Sequence, residues 1–343
     1  MCFAGVPSLP AMYRELHEGT AHGPLCYFPE FLGGLASTLS VCSQNHEDGA
    51  LLALMAFAGF KTREVVEICG GNGSENNGAY FVHNHGFRGV FFDGDAENSK
   101  ACAQHFAMRG VPSTAAPGDD SSSRADDADR PAARCVNGWI DAEKVGGLVA
   151  DGFAAMNVPT PEATPPNRRD VDLLSLDIDG IDLYLLQPIL ETVNPRVIVV
   201  EYQDIVGPDR ALTVPYAADF AAKWIDGNPD FAGASLPAFV RVLSRWGYHF
   251  VGCEALGFNG FFVRHDVIRE GHEAGRGSVR VVTPRESGCF DKGKVREGMR
   301  NRWPNVEAEP WVEVNDAWLE KHAPGPGGDA SRRSRNGGRV SRA

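Results

Sequence analysis

The chain has 343 residues, 43% of them apolar, and a formal net charge of −12. That is enough chain to bury one large α/β core with extensions, or two cores. The acidic balance disfavours broad binding to nucleic acid or to an anionic membrane, apart from a terminal segment after Ser331 with five Arg. No apolar run approaches the roughly 20 residues that span a bilayer, and the N-terminus lacks the basic, apolar and small-residue pattern of a signal peptide. The eight Cys form no C-x-x-C pair. The expectation is therefore a reduced, cytoplasmic compartment with cysteines acting as small buried hydrophobes, and no zinc knuckle.

Residues 1–42 are Gly- and Pro-rich and read as a lead-in with a short helix at 11–18. Ser43–Phe60 has a polar opening followed by Leu51, Leu52, Leu54, Met55 and Phe57, the pattern of a capped, largely buried helix. Glu64–Asp95 parses as strand, glycine turn, helix, strand and acid. Val65, Val66 and Ile68 suit a buried parallel strand. Gly70, Gly71 and Gly73 allow a sharp turn and close approach to a ligand. A second strand, Gly89–Phe92, ends at Asp93 and Asp95. This is the layout of an open α/β nucleotide site, with a carboxylate after the second strand to accept from ribose hydroxyls. Gly71-x-Gly73 is followed by Asn76 rather than a third glycine, and no Lys-Ser/Thr pair follows. Neither a complete dinucleotide fingerprint nor a P-loop is present.

A helix is expected over 97–109. Residues 112–134 are low-complexity and read as an insert without regular structure. A short strand is expected at 135–140, a helix at 141–151 and a second, Pro-rich insert at 157–169. Val171–Asp179 is the clearest strand. A helix containing Pro188 and a strand over 197–200 follow it. Ala234–Trp246 reads as an amphipathic helix, and 248–253 with 260–264 as an antiparallel pair. Alternating strands and helices argue for a doubly wound sheet. The terminal hairpin departs from a nicotinamide dehydrogenase. Residues 265–323 are expected to form an extension and 324–343 an Arg-rich disordered tail.

Asp177, Asp179 and Asp182 gather at the end of one strand, and Glu201 and Asp204 at the end of the next. Strand ends of this kind border the ligand crevice of open α/β sheets. Clustered carboxylates need donors or a cation. Holding a ligand ammonium, acting as general base and binding a divalent metal through Asp177, Asp179 and Glu201 all fit. N-capping of the next helix fits Asp179 or Asp182. His83 and His85, two residues apart, suit a helix end or loop better than a metal pair.

Glu67-Ile-Cys-Gly-Gly-Asn-Gly73 resembles the first motif of class I S-adenosylmethionine-dependent methyltransferases, and Asp93–Asn98 looks like their second. Leu174–Asp182, Glu201 and the upstream Ser43–Gly49 are similar to motifs of the FkbM-type members. The resemblance spans about 43–264 outside the inserts. It implies a Rossmann-like, mostly parallel seven-stranded sheet with a C-terminal antiparallel hairpin, S-adenosylmethionine as cofactor, and O-methylation of a small or sugar-like acceptor. Carried over by position, Glu67, Gly71, Gly73, Asp93 and Asp177 bind the cofactor, and Asp179, Asp182 and Glu201 occupy the acidic positions taken as catalytic. The chain departs from the pattern at Cys69, where the family has its first glycine, and carries Asp rather than Glu at 179 and 182. A degenerate member used as a scaffold and a nicotinamide-dependent oxidoreductase are the alternatives.

Overall fold

The computed structural model describes residues 39–114, 131–156 and 168–326. The lead-in to residue 38, most of both inserts and the Arg-rich tail lie outside the described residues.

Each expected element has a physical origin in the chain. Helix α1 (Glu47–Ala58) is buried along its whole length, which explains its uniformly apolar sequence after the first turn. Strand β1 (Glu64–Ile68) is followed by α2 (Ala79–His85), β2 (Arg88–Asp93) and α3 (Ala96–Met108). Asp95 caps α3, accepting from the amides of Glu97 and Asn98. Then come β3 (Ser113–Thr114), β4 (Ala132–Asn137), α4 (Val145–Ala155), β5 (Arg169–Leu176), α5 (Asp182–Thr192) and β6 (Val193–Glu201). Pro188 sits inside α5 rather than at its start.

The strand order is β10-β11-β6-β5-β1-β2-β4-β3, with β10 (Tyr248–Cys253) and β11 (Asn259–Arg264) forming the hairpin. All neighbours from β6 to β3 are parallel. Strand β11 runs antiparallel to both β6 and β10. The architecture is the expected doubly wound α/β sheet, with eight strands rather than seven. The additional strand, β3, comes from the segment read as an unstructured insert, and β4 begins three residues before the expected strand. Low complexity concealed both: Ala132, Ala133 and Arg134 pair in register with Arg88, Gly89 and Val90 of β2, so their conformation comes from the ladder rather than from side-chain pattern.

Alternate residues of the central strands feed opposite faces. Val66, Ile68, Leu174, Leu176, Ile198 and Val200 pack with α4, α5 and α6 (Leu236–Arg245). Val65, Leu173, Val197 and Val199 pack with α1, α2, α3 and α7 (His265–Glu273). The residues after the hairpin belong to the same body. Gly271 of α7 lies against the Phe57 ring, where an added Cβ would come within 2.4 Å of a ring carbon. Strand β12 (Val312–Glu313) pairs with β7 (Leu212–Thr213). Cys253, at the end of β10, is disulfide-bonded to Cys289. The expectation of reduced cysteines, mostly small buried hydrophobes, therefore fails at these two. Among the described residues no helix is long and apolar enough to cross a membrane.

Candidate active site

From β1 the chain winds outward through β2 to β4, and the later strands β5 and β6 lie on the other side of β1. The loops leaving the carboxyl ends of β1 and β5 therefore diverge and open a crevice, the position at which doubly wound sheets bind ligands. Two cavities lie there.

The smaller, about 150 Å³, is lined by Cys69, Asp93, Trp139, Ile140, Ile178 and Phe220, among others. Asp93 is buried, and its Oδ1 accepts from the amide of Asp95 (2.7 Å) and from Asn98 Nδ2 (3.3 Å). Oδ2 has no protein partner among the described residues. The side chain is thus fixed in orientation with acceptor capacity to spare. Trp139 is held by a 2.6 Å bond from its Nε1 to the carbonyl of Ala218. The cavity therefore combines a flat apolar wall with one oriented carboxylate.

Cys69 adopts φ 70°, the left-handed region that glycine occupies without strain. Burial by surrounding atoms, followed by the fields of Asp177, Asp93, Asp182 and Asp179, pushes its thiol pKa up. The side chain is exposed at the cavity wall as a neutral thiol, so the turn keeps the geometry glycine would give it.

The larger cavity, about 240 Å³, is lined by Asp177, Asp179, Asp182 and Glu201, and by Gln44, Asn45 and Arg302 among others. Pairing of Leu176 with Val200 brings the next residues, Asp177 and Glu201, side by side at the ends of β5 and β6. One oxygen from each of Asp177, Asp179 and Glu201 lies within 4.8 Å of the others. Asp177 now lies one residue beyond β5 rather than in it, although its amide still bonds to the carbonyl of Ile68 at 3.3 Å. Asp179 has φ 51°. Burial and the neighbouring carboxylates push Asp177 to about 7, and burial and Asp182 push Asp179 to about 6. Glu201 is raised well above the usual range by burial, then by Asp177 and Asp179. No ion pair among the described residues involves these three. The trio is therefore a site whose charge calls for a proton or a cation.

Asp182 sits apart in role. Its oxygens accept from the amides of Ile178 (2.7 Å) and Gly180 (2.9 Å), which folds the 177–182 loop and holds the trio's first two members in place. Glu67 is likewise engaged, accepting from Asn77 (2.8 Å) and Gly78 (2.7 Å) at the start of α2. Neither Glu67, Gly71 nor Gly73 lines either of these cavities. Gly73 serves packing: an added Cβ would lie 3.1 Å from Cys102 Cα and from His105 Cβ on α3. His83 and His85 occupy the last turn of α2 beside Phe106 and Phe60. Burial pushes both down to about 4, so they are neutral ring-packing groups.

Several lining residues were not foreseen from sequence. Gln44 and Asn45 reach the cavity because Glu47 bonds the Asn45 amide (2.7 Å) and Asn259 Nδ2 (2.8 Å), and Asn259 is the ladder partner of Glu201. Arg302 arrives from the C-terminal extension and is paired with Asp230 at 2.7 Å. No local signal in the sequence marks it.

No protein-family model and no curated protein matches the sequence. Among solved structures, the chain is similar to the O-methyltransferase from Bacillus cereus in complex with SAH, at 11% identity and a TM-score of 0.35, over 76% of this chain and 91% of that one. It is also similar to the O-methyltransferase TomG from Streptomyces achromogenes in complex with SAM, at 14% identity and a TM-score of 0.36, over 77% and 92%. Likeness at this level carries no argument about chemistry, which rests on the residues above.

Proposed function

We propose that the chain binds S-adenosylmethionine and transfers its methyl group to an oxygen of a small acceptor. The observation that carries this reading is the joining of two unlike cavities at one loop, 177–182, over the carboxyl ends of β1, β2, β5 and β6. The smaller offers an apolar wall and the oriented Asp93 carboxylate, suited to a nucleoside with two ribose hydroxyls. The larger offers a concentrated negative field, suited to a sulfonium and to deprotonation of an acceptor.

Held beside Asp93, S-adenosylmethionine would supply the methyl group and depart as S-adenosylhomocysteine, its C–S bond exchanged for a bond from the methyl carbon to the acceptor oxygen, and the acceptor proton would pass to a carboxylate. Asp179 is suited to that role, since its pKa of about 6 leaves it ionised yet basic near neutral pH. Asp177 and Glu201 retain a proton between them. The three oxygens also fit a divalent cation, whose chemistry when bound would be to lower the acceptor hydroxyl's pKa. Positioning of methyl and oxygen supplies the rest of the rate.

A melting-curve comparison tests the reading. S-adenosylhomocysteine at millimolar concentration raises the melting temperature and NAD does not. A shift from NAD alone would favour an oxidoreductase, and a shift from neither a scaffold.

A further inference from the structure

Two further sulfurs meet on the other side of the sheet. Cys102 of α3 and Cys135 of β4 are free thiols whose Sγ atoms lie 2.8 Å apart. Ser99, Cys102 and Phe106 are the buried residues of α3, and Ala133 and Cys135 those of β4. On the ladder Cys135 stands beside Phe91, whose ring packs on that of Phe106 with centroids 4.7 Å apart. Packing thus fixes helix against strand at this point. A thiol is a weak donor and a weak acceptor, which does not account for an approach closer than the contact distance of unbonded sulfurs. A covalent S–S bond, about 2.05 Å long, lies a small movement away.

The chain already completes such a bond elsewhere under the same constraint. Cys253 and Cys289 are 5% and 0% exposed, and Cys102 and Cys135 are each 1% exposed. All four sulfurs are out of reach of an oxidant once the chain has folded. The Cys253–Cys289 bond therefore forms while the chain is still open, in surroundings that supply an oxidant, and the other pair passes through the same surroundings. In the folded protein, the hydrogen bond with Cys135, followed by burial, pushes the Cys102 thiol pKa up. Exchange needs a thiolate, so the pair keeps the state it reached on folding.

The position also gives the bond a role. Cys102 and Cys135 are 33 positions apart, and the low-complexity segment 112–134 lies between them. Closing so long a polar loop costs chain entropy, and the start of β4 has little apolar pattern to offset it. Directly after β4 come Gly138, Trp139 and Ile140, which line the smaller cavity. A bond from α3 to β4 fastens that wall.

We infer that Cys102 and Cys135 are the site of a second disulfide, formed during folding. Each thiol loses its hydrogen and the S–S bond forms. The two electrons pass to a small-molecule disulfide such as oxidised glutathione, which leaves as two thiols. The inference does not depend on the methyl-transfer reading.

The test is peptide mapping of the full chain after refolding from denaturant and reductant into a glutathione redox buffer. The product is alkylated in denaturant without reduction, then digested. The expected result is a linked pair of peptides carrying Cys102 and Cys135, two hydrogens lighter than the reduced peptides together. Alkylated Cys102 and Cys135, or either one linked to anything else, overturns the inference. A second measurement separates a bond from packing alone. Cys253→Ser/Cys289→Ser lacks the first disulfide. Refolded in dithiothreitol, it should melt several degrees below the same variant refolded in the glutathione buffer. Adding Cys135→Ser should abolish that difference. Equal melting temperatures of Cys253→Ser/Cys289→Ser in the two buffers would overturn the inference, and if that variant does not fold, the wild-type peptide map decides alone.

Discussion

Asp177 and Glu201 stand side by side at the ends of β5 and β6, and one oxygen of each lies, with one of Asp179, within 4.8 Å of the others. Carboxyl groups this close repel when both are ionised, so burial and the neighbouring charges favour a proton on the pair, with Glu201 raised well above the usual range. The pair thus lies beside Asp179 with one proton and one negative charge between them.

Asp179→Asn removes the carboxylate suited to take the acceptor proton and, with it, one cation ligand. The expected result is a methyl-transfer rate lower by about 10²–10⁴-fold, the usual span for a lost acid–base group. S-adenosylhomocysteine affinity should change little. Radiolabelled methyl transfer and a binding titration on the same preparation check both halves.

The cluster should also set a pH dependence of stability. Asp177 and Asp179 titrate near 7 and 6 when folded, against roughly 3.9 for an unfolded Asp. Between about pH 4 and 7 the folded state holds protons that the unfolded state has released, so stability falls as pH rises through this window. Wild-type protein without added cation should therefore lose melting temperature from pH 5 to pH 7.5, and Asp177→Asn should lose less. Magnesium or manganese should raise the wild-type melting temperature more at pH 7.5 than at pH 5. An equal shift at both values would argue against a cation on these carboxylates.

The Cys253–Cys289 bond closes a loop of 36 residues and fastens the C-terminal extension, which supplies Arg302, to the hairpin. Closing a loop of that length is worth about 4 kcal/mol in unfolded-chain entropy. Reduction with dithiothreitol, or Cys253→Ser, should lower the melting temperature by several degrees and expose two further alkylatable thiols by mass spectrometry.

Much of this was legible in the sequence because it depends on local pattern. The apolar runs gave the central strands, and the order of strands and helices the doubly wound sheet. The acidic positions 177, 179 and 201 stood out because carboxylates at the ends of apolar strands are costly without a use. What was hidden depends on tertiary pairing. Strand β3 and the start of β4 have no hydrophobic pattern; β4 owes its extended form to β2, and β3 to β4. Asp182 and Glu67 also hold local structure, since backbone amides occupy their oxygens, and sequence does not show who an acid's partner is. Arg302 and Cys289 are brought in by an extension more than 80 residues beyond Glu201 in the chain. Cys69 seemed at odds with the glycine turn, and the structure accommodates it at positive φ, for which strain of roughly 1–2 kcal/mol is typical.

The central claim is that this crevice holds S-adenosylmethionine with Asp93 on its ribose. Calorimetric titration of wild-type and Asp93→Ala protein with S-adenosylhomocysteine tests it most directly. One site per chain is expected, with a loss of about 10- to 100-fold in affinity for Asp93→Ala, the scale of removing hydrogen bonds to a charged acceptor. No heat of binding at millimolar ligand, or equal affinity in the two proteins, would contradict it.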